Sequence, residues 1–114
     1  MSKSPEEYLK HILEEANYLL DSSKNVSEEQ FMHDETLQRA FSRSLEIIGE
    51  AAKNLPPDFI KEQDQIDWKS IAGMRDRLIH HYFGVDYEIV WDVVKNEIPR
   101  LKEQISTIVN KLQE

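Results

Sequence analysis

An all-α fold, a four-helix bundle, is predicted by three features of the sequence. Glycine occurs only at Gly49, Gly73 and Gly84. No segment alternates apolar and polar residues for long enough to make a half-buried strand. Apolar residues instead recur at helical spacing in stretches separated by short connectors. The 114 residues suit one domain, 1–114, because domains usually hold roughly 100–150 residues and a second core would have little to bury. No internal repeat, low-complexity tract or long linker divides the chain.

The first helix opens at Ser4-Pro5-Glu6-Glu7, with Ser4 as N-cap, Pro5 at the first helical position and Glu7 placed to close a capping box. Tyr8, Ile12, Leu13, Ala16, Leu19 and Leu20 keep helical spacing until Asp21-Ser22-Ser23 breaks it. A short turn of helix is expected near Ser27–Met32. A long helix should follow from about Asp34 to Asn54, with Leu37, Ala40, Phe41, Leu45, Ile48 and Ala52 on its apolar stripe and Pro56-Pro57 as its stop.

The third helix is expected to start at Asp67, with Ile66 stapled onto Ile71, and to run to Gly84 as its left-handed terminator. Asp86 should cap the last helix, whose inward residues are Ile89, Val90, Val93, Val94, Leu101, Ile105, Ile108 and Val109. Pro99 should kink that helix, because it has no N–H for the Lys95 carbonyl and its ring crowds it.

Composition narrows function. A net charge of −8 opposes nonspecific coating of nucleic acid, which needs lysine and arginine to neutralise phosphates. With no cysteine there is neither a disulfide framework nor a thiolate metal site. The chain has no 18-residue apolar run, and its N-terminus, MSKSPEEY, has no apolar signal core. These features predict a cytoplasmic protein with no membrane partner. His11 and His33 have no neighbours at metal-ligand spacing, and GEAAK lacks the surroundings of a P-loop. Trp68 and Trp91 sit in apolar stripes, as core or interface residues do more often than base-stacking ones.

The chemically dense stretch is RDRLIHHYFG, residues 75–84. Its plain reading is the polar end of a helix, where the macrodipole favours cations. Its reactive reading rests on the pairing of residue types. Histidine moves protons near neutral pH, and the arginine fork fits phosphate oxygens. Together they suit phosphodiester cleavage, with an RNA 2′-hydroxyl attacking the adjacent phosphorus and no metal or cofactor required. On one straight helix, however, Arg75 and His80 would point about 140° apart. Either the helix loosens before Gly84, or a second copy of the chain completes the centre. At helical spacing Asp76, four residues before His80, could orient the imidazole. His81 and Arg77 could contact RNA, or be a solvent-facing neighbour and a salt-bridge partner. Arg39 and Arg43, four apart on the second long helix, could add to a basic lining or simply form its polar face.

The run IDWKSIAGMRDRLIHHYFGVDYEIVWDVVKNEIPRLKEQI, with LQRAFSRSLEIIGEAAKNLP upstream, closely resembles the HepT-like branch of the HEPN domain family. Its core is R-x4-H-x-Y, filled by Arg75, His80 and Tyr82. The resemblance implies a four-helix-bundle ribonuclease toxin acting as a homodimer, with Arg75 and His80 as a metal-independent catalytic pair. It also implies a minimal nucleotidyltransferase antitoxin as partner, which attaches AMP to Tyr82. The family commonly has Asn where this chain has Asp76. The alternative is a noncatalytic helical HEPN module that binds a nucleotide or a nucleotidyltransferase.

Overall fold

The computed structural model describes residues 4–80 and 84–114. The chain opens with α1 (Pro5–Ser23), where the Ser4 hydroxyl accepts from the Glu7 N–H at 3.4 Å, supplying one half of the expected capping box. The complete capping box belongs to α2 (Glu28–Met32). There the Ser27 hydroxyl accepts from the Gln30 N–H at 3.1 Å, and the Gln30 carboxamide accepts from the Ser27 N–H at 2.9 Å. The long α3 (Glu35–Lys53) starts at the Asp34 cap, as its sequence predicts. The double proline does more than stop α3, because Pro57 is also the first residue of the six-residue α4 (Pro57–Glu62).

The third helix departs from expectation. Asp67 caps it as predicted, accepting from the Ser70 N–H at 3.1 Å. The helix then runs as two short pieces, α5 (Trp68–Ala72) and α6 (Met74–Leu78), joined at Gly73. It stops at Leu78, six residues before Gly84. Ile79 turns extended, with φ −104° and ψ 123°. The chain there forms a two-stranded antiparallel ladder, β1 (Ile79–His80) on β2 (Gly84–Val85), pairing Ile79 with Val85 and His80 with Gly84. The Asp86 N–H donates to the Leu78 carbonyl at 2.7 Å and closes the base of this hairpin.

Gly84 has φ +75°, so the predicted left-handed conformation is there but serves the hairpin rather than a helix end. A Cβ on Gly84 would meet nothing within 4 Å. Gly84→Ala should therefore incur only the backbone penalty, about 1–2 kcal/mol. Urea unfolding should report that loss, and Gly84→Asn should lose less because Asn tolerates this region.

The last helix begins at the Asp86 cap and is divided into α7 (Tyr87–Asn96) and α8 (Ile98–Leu112). Pro99 thus produces a break at Glu97, where a kink was expected. The Glu97 N–H still donates to the Val93 carbonyl at 2.9 Å, while Glu97 adopts φ −109° and ψ −40°.

The bundle places α1 against α3 and α8, α7 against α3 and α8, and α5–α6 against the outer side of α3. Leu9, Ile12, Leu19, Phe41, Leu45, Ile48, Val90, Val93, Val94 and Ile105 fill the space between them. Gly49 lets α5–α6 come close, since a Cβ there would lie 3.1 Å from both the Ile71 carbonyl oxygen and Met74 Cβ. Among the described residues, no helix is long and apolar enough to cross a membrane.

Candidate active site

The short α6 carries the first half of the motif. Arg75 and Asp76 are both exposed on it, and neither forms an ion pair among the described residues. His80 lies in β1, two residues beyond the end of α6. The helix therefore does loosen between Arg75 and His80, which was one of the two ways to bring the pair together. The helical spacing that would have set Asp76 beneath His80 does not extend past Leu78. His81 and Tyr82 lie outside the described residues.

Three of the other arginines have partners. Arg39 is exposed and bonds Glu35 at 2.6 Å, one helical turn away. Arg43 lies 3.7 Å from Glu46 and lines a groove with Tyr8, His11, Ile47, Glu50 and Asn54. Gly49, which faces α5–α6, is six residues from Arg43, so the two directions on α3 differ by about 120°. Within one chain, α3 thus presents Arg43 toward the α1 side and not toward the motif helix.

Arg77 is the least exposed of these and the most completely bonded. Its Nη1 donates to Glu97 Oε1 at 3.0 Å and to Ser70 Oγ at 3.1 Å, and its Nη2 donates to Glu97 Oε2 at 2.6 Å. The hydrogen bond to Glu97 raises its pKa above the ordinary arginine value; partial burial opposes this, and Asp67 and Asp92 add to it. A base with a raised pKa contributes stability below its unfolded pKa and loses it only as pH rises past the folded one. Arg77 therefore stays charged across any working pH.

The two tryptophans pack within the fold. Trp68 is buried and its indole N–H donates to the Gln63 carbonyl at 2.9 Å. Half-buried Trp91 packs on Phe31 with ring centroids 5.3 Å apart, and Lys95 Nζ lies 5.3 Å from its own centroid. His33 closes α2, its Nδ1 2.9 Å from the Glu29 carbonyl oxygen.

Sequence reasoning missed the Glu97 and Ser70 partners of Arg77. Ser70 lies seven residues before Arg77, a helical repeat that could have signalled the contact. Glu97 is 20 residues away, and only the tertiary fold reveals it.

A protein-family profile described as "Ribonuclease HepT-like" matches residues 7–108. A candidate RNase of Caldanaerobacter subterraneus subsp. tengcongensis is 52% identical over 109 residues, covering 96% of this chain and 97% of that one. A candidate RNase of Methanocaldococcus jannaschii is 44% identical over 106 residues, 93% of this chain and 88% of its own length. The "Probable ribonuclease HepT" of Thermococcus cleftensis is 44% identical over 102 residues, covering 90% and 93%. No solved structure matches the chain significantly.

Proposed function

The chain belongs to the HepT-like ribonuclease family, and on that premise we propose that it is a toxin-type RNA endonuclease using Arg75 and His80 without a metal. Arg75 holds the scissile phosphate and stabilises the negative charge that builds on it. His80 transfers the proton between the 2′-hydroxyl and the leaving 5′-oxygen. Asp76 positions the histidine, acting across the end of α6 rather than along a helix. The active form is a homodimer in which each motif opens on a cleft at or near the twofold axis.

The observation that carries this reading is the state of Arg75, which is exposed and without an ion-pair partner among the described residues, on a helix that ends before His80. An arginine left unpaired in a chain of net charge −8 is available to an anionic substrate. Arg39, Arg43 and Arg77 are each engaged by an acid, and within the RDRLIHHYFG stretch this leaves Arg75 as the arginine without an ion-pair partner among the described residues.

The partner is a minimal nucleotidyltransferase antitoxin that transfers AMP to Tyr82. Phosphates added two residues from His80 would repel the RNA backbone and occupy its place. With ATP and that partner, the wild-type chain should gain multiples of the AMP mass and stop cleaving RNA, while Tyr82→Phe should keep its mass and continue to cleave. Intact-mass spectrometry beside a cleavage assay on total tRNA and mRNA reads both. Protein of confirmed unmodified mass that leaves all RNA intact would contradict the nuclease and favour the noncatalytic binding module.

A further inference from the structure

We infer that Arg77 is a positioning residue for Arg75, acting through a clamp on Glu97 and Ser70, and does not bind RNA itself. The inference rests on the ribonuclease reading above.

Three interruptions surround the motif: Gly73 between α5 and α6, the end of α6 at Leu78, and the Glu97 break between α7 and α8. A five-residue α6 with no side-chain N-cap bond cannot hold its own direction. One guanidinium ties together two of these breaks. It reaches back to Ser70 on α5 across Gly73 and sideways to Glu97 at the α7–α8 break, where a carboxylate with two oxygens meets it fork to fork.

Arg75 and Arg77 are two residues apart and so point about 200° around the helix from each other. Arg77 grips α6 from its inner side, and Arg75 is presented to solvent on the other. The Pro99-induced break also gains a purpose, because it is where the Glu97 carboxylate meets the motif helix. A cavity of about 280 Å³ lies beside the clamp, lined by Ser70, Met74 and Glu97 among others.

The two possible roles of Arg77 predict opposite signs for Glu97→Gln. If Arg77 served RNA phosphates, neutralising Glu97 would release it and strengthen RNA binding. If it positions Arg75, the same change weakens the clamp and slows turnover. Steady-state RNA cleavage should be measured for the wild type, Arg77→Gln, Glu97→Gln, Arg77→Glu, Glu97→Arg and the reversed pair Arg77→Glu/Glu97→Arg. Circular dichroism should fix a temperature at which every variant is folded.

Arg77→Gln and Glu97→Gln should each lower kcat about 10-fold to 100-fold, the effect of a misplaced catalytic group, with KM for RNA nearly unchanged. The reversed pair should recover part of the kcat lost in either single reversal. Tighter RNA binding or faster cleavage in Glu97→Gln would overturn the inference. So would a raised KM at constant kcat in Arg77→Gln, a reversed pair no better than its singles, or folded variants with full kcat. If the wild type does not cleave, it is the ribonuclease assignment that fails, and if Arg75→Ala cleaves as fast, it is the catalytic role given to Arg75; both are separable from a failure of the clamp.

Discussion

Arg75→Ala and His80→Ala are each expected to abolish most RNA cleavage while leaving the bundle folded. For Arg75 the expected loss in kcat is roughly 10²–10³-fold, the range for removing one preorganised group that stabilises transition-state charge. For His80 it is roughly 10²–10⁴-fold, the contribution of a positioned general acid or base. Arg75 is exposed and forms no ion pair among the described residues, so its removal should change stability by no more than about 0.5 kcal/mol. Lost activity with an unchanged unfolding midpoint is therefore the signature of a catalytic group. The double variant should lose little more than the worse single, because groups acting on one step are not additive. Loss of activity in only one of the two singles would break the proposed pair.

Phe41→Ala is expected to produce the largest loss of stability. Phe41 is fully buried, stacks on Phe31 with centroids 5.2 Å apart, and meets the edge of Tyr18 at 6.2 Å. Phe31 in turn carries Tyr87 and Trp91. Truncating a buried phenylalanine costs about 3–5 kcal/mol, out of about 5–15 kcal/mol for a whole domain. The centre of this cluster joins α2, α3 and α7, and neighbours on three elements cannot all collapse into the space. The urea midpoint should fall accordingly, and a loss below about 1 kcal/mol would mean that the aromatic cluster is not a keystone of the core.

The caps were legible because each is a local event. Ser4, Asp34, Asp67 and Asp86 all accept from a backbone N–H within the next three residues, and their side chains announce it. The apolar stripes of α3, α7 and α8 were legible for the same reason, since periodicity is written along one segment. The end of the third helix was not. Leu78 and Ile79 fit an apolar helical stripe, yet the β-branched and aromatic residues that follow also suit extended chain. Gly84 signals a left-handed residue without saying whether it closes a helix or a hairpin. Pro57 had the same ambiguity between stopping one helix and starting the next.

At the site, residue types and their order were readable, and geometry was not. The sequence places Arg75, Asp76 and His80 together in the chain, but straight-helix spacing put Arg75 and His80 on diverging faces. The early end of α6 removes that restraint. Arg77 shows the converse, because the sequence left it open between an RNA contact and a salt-bridge partner, and the fold delivers Glu97 to it from 20 residues away. Charge along a sequence does not reveal which acid a cation pairs with.

The most direct test of metal-independent cleavage is the chemistry of the RNA ends formed by the unmodified wild-type protein in EDTA. Attack by the 2′-hydroxyl, with His80 moving the proton and Arg75 holding the phosphate, predicts 2′,3′-cyclic phosphate and 5′-hydroxyl termini. It also predicts no cleavage where the scissile nucleotide is 2′-deoxy. Ends carrying 3′-hydroxyl and 5′-phosphate, or cleavage that survives the 2′-deoxy substitution, would contradict it.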